Sequence, residues 1–302
     1  MSFSYNTKAE LCKIAQGSNC CAVAECYGML LYCNTFSSRE IRIITGNKKL
    51  GQRMVEQFSS AFSISFDALP EHDNTGKQSY IIRDMDKLSC VFEAYGFSSD
   101  NLLAHHVNLG VLEEECCRRS FIRGAFLTGG AITDPTKSYH LELVTDHYNV
   151  SREMYSLLLE MGFCPKETAR GGNYITYFKQ SSAIEDFLTM IGAPIHAMEL
   201  MSAKIEKDMR NSVNRKVNCD TANVTKTVDA AAAQIEAIIK IEVAGIFEDM
   251  PEKIRQTAIL RLHNPELSIK ELAEISEPPM TKSCMNHRLR KLTQISEKIT
   301  QL

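Results

Sequence analysis

Residues 19–32 read NCCAVAECYGMLLY and residues 119–130 read RSFIRGAFLTGG. Each stretch is apolar on nearly every side for about three helical turns, so each predicts a helix buried over most of its surface. The same order of signals then recurs around both. A short amphipathic helix over 9–14 precedes the first stretch. After it come an alternating run over 40–45, a helical period over 47–61 and strand-like runs over 62–66 and 79–82. Those two runs flank an Asp73-Asn74-Thr75-Gly76 turn, and a helix over 86–95 then stops at Gly96. After the second stretch come an alternating run over 139–145, a helix over 151–161, a strand over 173–179 behind Arg170-Gly171-Gly172, and a helix over 182–191 that stops at Gly192. Gly28 and Gly124 are 96 residues apart, as are Gly96 and Gly192. Equal offsets at both ends of a unit mark a duplication. Gly28 on one helix, with Gly124 and Ala125 on the other, predicts a close backbone approach at a pseudo-twofold seam.

The end of the chain has a different period. Residues 267–301 read LSIKELAEISEPPMTKSCMNHRLRKLTQISEKITQ. Ser268 and Glu271 form a capping box, since the hydroxyl can accept from the third helical N–H while the carboxylate reaches back. Ile269, Leu272 and Ala273 share one face of that helix, which must stop before Pro278 and Pro279. Thr281 or Ser283 can cap a second helix with an apolar stripe of Met285, Leu289, Leu292 and Ile295 or Ile299. Its opposite face carries Lys282, Asn286, His287, Arg288, Arg290 and Lys291, with no acidic residue before Glu297. Two short helices joined by a tight turn, the second basic on its free side, form the arrangement that lays a helix in the DNA major groove. Arg reads guanine and Asn reads adenine in two-point fashion there, while Lys and Ser hold phosphates. The predicted contacts are Ser268, Thr281, Lys282, Ser283, Asn286, His287, Arg288, Arg290 and Lys291.

Composition bounds the alternatives. The 302 residues, 44% hydrophobic and 24% charged, belong to a globular chain long enough for two cores. The net charge of −3 does not attract DNA by itself, but its distribution is uneven. Residues 1–202 hold 18 Lys/Arg against 23 Asp/Glu, net −5, and residues 203–226 hold 6 against 3, net +3. Nucleic-acid contact is therefore expected in the last third, while the acidic N-terminal region either holds DNA weakly or binds a protein partner, the reading its charge favours. In 203–226, Asn214, Arg215, Lys216, Asn218, Asn223 and Lys226 form a second candidate contact, followed by an Ala/Ile helix over 228–244 that serves as a bridge. The eleven cysteines include no CxxC pair, so spacing predicts no metal site and reduced, mostly buried thiols. No signal core and no membrane-length apolar run is present, which predicts a cytoplasmic, nucleoid-associated protein with no membrane contact.

The segments CYGMLLYCN (26–34) and IRGAFLTGG (122–130) resemble degenerate LAGLIDADG helices of homing endonucleases. RSFIRGAFLTGGAITDP (119–135), NRKVNCDTANVTK (214–226) and PPMTKSCMNHRLRKL (278–292) are similar, in the same order, to motifs of the WhiA family of bacterial regulators. The resemblance covers essentially the whole chain. It implies a transcription regulator acting in cell division, chromosome segregation or sporulation. A working LAGLIDADG nuclease needs one carboxylate near the end of each central helix to hold Mg²⁺. Those positions carry Cys33 and Gly129, and Asp134 stands on a turn beyond, so the catalytic pair is missing. Glu25 and Asp146 read as surface or capping carboxylates, and His105-His106 as a solvated pair. Thr128-Gly129-Gly130 and Arg170-Gly171-Gly172 match no phosphate-binding loop.

The expected architecture is α+β. A duplicated LAGLIDADG-like domain of pseudo-twofold symmetry covers 1–196, with repeats at about 9–96 and 113–192. A basic segment and helical linker follow over 197–245, then an all-α helix-turn-helix domain over 246–302. The expected function is sequence-specific binding of double-stranded DNA without cofactor, metal or nuclease activity. Its rivals are an active LAGLIDADG-type endonuclease and a protein-interaction adaptor.

Overall fold

A computed structural model describes residues 2–70, 76–97 and 104–300, apart from the side chain of Thr300. Asp73, Asn74 and Thr75 of the expected hairpin turn lie outside the described residues. The chain divides into two compact units, Met1–Asp208 and Met209–Leu302.

The first unit is the duplication. Its first half runs α1 (Phe3–Leu11), α2 (Asn19–Leu31), β1 (Thr35–Phe36), β2 (Ile41–Thr45), α3 (Lys48–Phe62), β3 (Gln78–Ile82) and α4 (Met85–Ala94). The second half runs α5 (Glu115–Gly129), β4 (Gly130–Ile132), β5 (Leu141–Thr145), α6 (Tyr148–Glu160), β6 (Lys166–Arg170), β7 (Asn173–Phe178) and α7 (Ser181–Ile191). Two antiparallel sheets result, ordered β1-β2-β3 and β4-β5-β7-β6, with registers such as Ile43 opposite Tyr80 and Leu143 opposite Thr176. Ile41, Ile43, Leu141 and Leu143 turn inward and are buried, as period-two alternation requires.

Several elements differ from the sequence expectation. Residues 62–66 form no strand. Phe62 closes α3, Ser63 takes a left-handed φ of 57° as its cap, and only Ala68 bridges to Ile81. Phe58 and Phe62, four residues apart with ring centroids 5.9 Å apart, extend the apolar stripe of α3 and outweigh the local alternation. The first helix begins earlier than expected because the Ser2 hydroxyl accepts the Tyr5 N–H at 3.2 Å. β1 and β4 are too short to read. β6 is exposed along its whole length, so it has no buried face to impose alternation.

At the centre, α2 and α5 touch backbone to backbone. A Cβ on Gly28 would stand 2.0 Å from the Phe121 carbonyl oxygen and 2.7 Å from the Ala125 nitrogen. One on Gly124 would stand 2.0 Å from the Glu25 carbonyl oxygen. The predicted seam is therefore real, and only glycine fits at either position.

Beside the seam lies an ion cluster that corrects the surface reading of Glu25, whose side chain is only 2% exposed. Arg53 donates through Nε to Glu25 Oε1 at 2.5 Å and through Nη2 to Oε2 at 2.8 Å, while Arg123 donates to Oε2 at 3.1 Å. The guanidiniums also hold backbone. Arg53 donates to the Ile14 carbonyl and Arg123 to the Ile191 carbonyl, each at 2.7 Å. His105 also departs from expectation. It is buried, stacks on Phe36, and meets the Phe36 carbonyl at 2.8 Å, and burial lowers its pKa to about 4. His106 remains exposed and pairs with Glu153.

α8 (Pro194–Val243) continues from the first unit into the second as one helix. The basic segment is thus helical throughout, because no Gly or Pro interrupts it after Pro194. α9 (Glu252–His263), α10 (Ile269–Ile275) and α11 (Lys282–Thr300) follow. Ile238 and Ile241 of α8 close a core with Ile254, Leu272, Met285 and Leu289.

Urea unfolding of the full chain tests the seam and the ion cluster. Gly28→Ala lowers stability by more than about 2 kcal/mol, since backbone atoms cannot yield to the added methyl. Gly46→Ala, where the nearest atom to the added carbon is 3.6 Å away, changes it little. Glu25→Ala costs about 3–5 kcal/mol by stranding two buried guanidinium contacts, and adding Arg53→Met restores part of that loss.

Candidate nucleic-acid interface

The turn between α10 and α11 is built as its sequence requires. Ser268 Oγ accepts the Glu271 N–H at 3.3 Å, and Glu271 Oε2 accepts the Ser268 N–H at 2.8 Å. These bonds hold the Glu271 carboxyl below its ordinary pKa. After Ile275 the Ser276 hydroxyl donates to the Ala273 carbonyl at 2.8 Å, and the Met280 N–H donates to the same oxygen at 3.0 Å. Thr281 Oγ1 then accepts the Cys284 N–H at 3.3 Å and opens α11. Thr281 is therefore the cap, and Ser283 remains free of that role.

About 100° of rotation per residue sorts the side chains of α11. Met285, Leu289 and Leu292 are buried in the core. Ser283, His287, Arg290 and Lys291 lie exposed on the other side, Lys282 is exposed at the start of the helix, and Asn286 is half-buried at the edge. No carboxylate joins this face before Glu297.

Arg288 departs from the predicted set. It falls at the flank of the core stripe and folds back on α9, where Nη1 donates to the Lys253 carbonyl at 3.3 Å and lies 3.5 Å from the Thr257 hydroxyl. The two arginines of the motif thus part ways, Arg290 to solvent and Arg288 to the neighbouring helix.

Ser268 and Lys282 do not sit alone. With Lys226, Arg261 and Lys270 they line a hollow of about 220 Å³ that no carboxylate lines. Lys226 comes from the second predicted stretch and Lys282 from the first, so the fold brings the two together. Lys270 and Arg261 escaped the sequence reading. Arg261 is 1% exposed and donates to Gln234 Oε1 at 2.9 Å, the Leu267 carbonyl at 2.6 Å and the Asn264 carbonyl at 3.3 Å. All three acceptors are neutral. Burial lowers its pKa, yet a guanidinium stays charged. The sequence did hold a signal, since Ile254, Thr257, Ala258 and Arg261 occupy one core-facing row of α9.

The remaining residues of the second stretch, Asn214, Arg215, Lys216, Asn218 and Asn223, are exposed on α8. Rotation spreads them over more than half of its circumference, with Asn214 and Lys216 nearly opposed. They do not form one face.

In the first unit, both positions of the missing nuclease acids are structurally committed. Cys33 is partly buried, its thiol donating to the Thr35 carbonyl at 3.1 Å, and burial pushes its pKa up to about 12. A Cβ on Gly129 would stand 2.5 Å from the Val144 carbonyl oxygen and 2.9 Å from Tyr32 Cβ. Asp134 is exposed and accepts from the Thr136 N–H and hydroxyl within its own turn, which holds its pKa low. The Asp146 side chain is 61% exposed. Thr128 donates to the Met29 carbonyl at 3.1 Å at the end of α5, and Gly171 and Gly172 form the β6–β7 turn with φ of 59° and 83°. Among the described residues, no helix is long and apolar enough to cross a membrane.

Comparison with known proteins agrees with this division. Residues 118–210 match the WhiA LAGLIDADG-like domain and residues 213–296 the WhiA C-terminal HTH domain. The chain is 38% identical over 310 residues to the "Probable cell division protein WhiA" of Ruminiclostridium cellulolyticum, covering 99% of this chain and 98% of that protein. It is 36% identical over 311 residues to the protein of the same name from Clostridium perfringens strain 13, with the same coverage. Full-length DUF199/WhiA from Thermatoga maritima superposes with a TM-score of 0.59 at 24% identity, covering 99% of both chains, which shows the shared fold.

Arg288→Ala should lower the stability of the second unit by about 1 kcal/mol, the worth of its contacts to α9. Arg290→Ala should leave stability unchanged within about 0.5 kcal/mol, as expected for an exposed side chain. Chemical denaturation followed by helical circular dichroism separates the two.

Proposed function

Because the chain belongs to the WhiA family, we propose that it is a sequence-specific regulator of transcription that binds double-stranded DNA through α11 and has no nuclease activity. The observation that carries this reading is the acid-free exposed face from Lys282 to Lys291, bordered by a hollow lined by four cations and no carboxylate. Arg290, Asn286, His287 and Ser283 are the residues placed to meet base edges in the major groove. Lys282, Lys226, Lys270 and Lys291 are placed to meet phosphates and fix the register. Ser268 and Thr281 act through the turn they cap, and Arg288 through the angle between α9 and α11.

The first unit is read as a scaffold derived from a nuclease fold. Cys33 and Gly129 leave it without the paired carboxylates that would hold Mg²⁺. Its net charge of −5 over residues 1–202 repels phosphates and favours a protein partner. The relatives' name as cell division proteins supports a role in cell division, and the family resemblance adds chromosome segregation and sporulation. A regulator of this kind works on the nucleoid in the cytoplasm.

Selection of the full chain against random duplexes, with Mg²⁺ present, tests the reading. One enriched sequence with uncut DNA is expected. Arg290→Ala should then relax preference at one base position and cost about 1–3 kcal/mol. Lys226→Ala with Lys282→Ala should weaken binding evenly across sequences and reduce the salt slope by about 2. Cleaved duplex would establish the nuclease instead, and an unchanged salt slope would establish an adaptor.

A further inference from the structure

Four thiols that appear scattered along the chain meet at one point. Cys20 and Cys21 are the second and third residues of α2, and Cys116 and Cys117 are the second and third of α5. The pairs are 96 residues apart, the offset of Gly28 and Gly124, so the pseudo-twofold that presses the helices together also superposes their first turns. All four sulfurs lie within 4.8 Å of one another. This corrects the expectation, drawn from the absence of CxxC pairs, that the thiols stand apart. The expectation of mostly buried thiols is corrected as well, since only Cys26 and Cys117 of the eleven are buried and Cys20, Cys90, Cys116, Cys164 and Cys219 are exposed.

We propose that Cys20, Cys21, Cys116 and Cys117 form a site for one soft divalent cation, with Zn²⁺ as the best-fitting ion. Four sulfurs and no oxygen or nitrogen donor in the set select a thiophilic metal. Zn–S bonds of about 2.3 Å in a tetrahedron hold the sulfurs about 3.8 Å apart, so each pair closes by at most about 1 Å. A group this tight encloses a single ion, whereas a multi-iron cluster must spread its ligands around several metal atoms. Ordinary core packing does not account for the group, because Cys20 and Cys116 are exposed and Cys21 is only partly buried.

The Cys21 contact raises the pKa of the Cys116 thiol and burial raises that of the Cys117 thiol, and two features work against that cost of forming thiolate. Both pairs sit at helix N-termini, where free N–H groups and the helix dipole stabilise negative charge. The Ser18 hydroxyl lies 2.9 Å from Cys20 Sγ and donates to Cys21 Sγ at 3.4 Å. Cys21 and Cys116 also line a cleft of about 520 Å³ that carries Arg53, Arg119 and Arg123 together with Glu25, Glu114 and Glu115. On binding, four thiol protons pass to solvent and four S–metal bonds form, with no change of oxidation state. Four protein ligands close the coordination sphere, so the ion is structural. It clamps the first turns of α2 and α5 as the glycines clamp their middles.

Cobalt is the probe. The full chain, reduced and metal-free, should take up one equivalent of Co²⁺ with the intense visible bands of a tetrahedral thiolate complex, and Zn²⁺ should bleach them. The Zn²⁺ dissociation constant should be about nanomolar or tighter. The variant Cys116→Ser with Cys117→Ser should lose the bands and bind Zn²⁺ more than about 100-fold more weakly. The Cys90→Ser and Cys164→Ser variants, at exposed thiols elsewhere, should keep both. Zn²⁺ should raise the melting midpoint of the parent chain and not that of the paired serine variant. A folded parent chain that shows no thiolate bands overturns the proposal. So does a full equivalent of tightly held Zn²⁺ in a variant lacking all four cysteines, or a pair of cross-helix disulfides that persists under reductant and excludes the metal.

Discussion

Everything in the first unit depends on two helix backbones lying closer than side chains allow. With Gly28 facing Phe121 and Ala125, and Gly124 facing Glu25 and Met29, the peptide planes themselves are the contact surface. Such a contact gains dispersion from many atoms at once and tolerates no added carbon. It also fixes which residues meet across the duplication. Any residue of α2 and its counterpart 96 positions later are related through the same axis, whether they are glycines, thiols or something that has since diverged.

Divergence is visible at the next positions along the seam. Glu25 has Phe121 as its counterpart, and Tyr27 has Arg123. A symmetric ancestor would place like with like, but here one flank of the seam is ionic and the other aromatic. On the ionic flank Arg123 reaches Glu25, which Arg53 also grips. On the aromatic flank Tyr27 stacks on Tyr95 with centroids 4.2 Å apart and lies 5.5 Å from Phe121. Its hydroxyl donates to the His106 carbonyl at 2.6 Å and accepts the Asn108 N–H at 2.8 Å. The buried carboxylate tolerates desolvation only because two guanidiniums share it, and those guanidiniums in turn bind the carbonyls of Ile14 and Ile191. The cluster therefore ties the entry to α2 and the end of α7 to the central pair.

What was legible in the sequence was whatever a local pattern or a fixed offset encodes. The apolar runs of α2 and α5, the glycines of the seam, the capping box at Ser268 and the buried stripe of α11 all follow from residues within a few turns, or from one repeated spacing. What was hidden depends on partners far along the chain. Glu25 reads as a surface acid because its partners lie 28 and 98 residues away. The thiol pairs read as unrelated because a metal-site search looks for short spacings, and only the seam brings 20–21 to 116–117. Arg288 sits at the angular border of its helix, where a rotation of a few tens of degrees decides between solvent and α9. β6 carries no buried face, so nothing in its composition separates it from a loop.

The charge of the chain makes sense only at this resolution. Residues 209–302 hold 14 Lys/Arg against 12 Asp/Glu, a balance too small to draw the unit to a polyanion. Its acids, however, cluster before α11, with seven of them between Glu248 and Glu277, whereas Lys282 to Lys291 holds four cations and none. Since screening reduces exposed charges more than about 10 Å apart to weak effect, a phosphate at α11 feels the local set and not the sum. Arg261 adds a fixed charge held by neutral acceptors, and it lines the hollow that Lys226, Lys270 and Lys282 share. An anion there would neutralise a cation that the fold has already desolvated, so the cost of burying Arg261 in the free protein becomes attraction in the bound one.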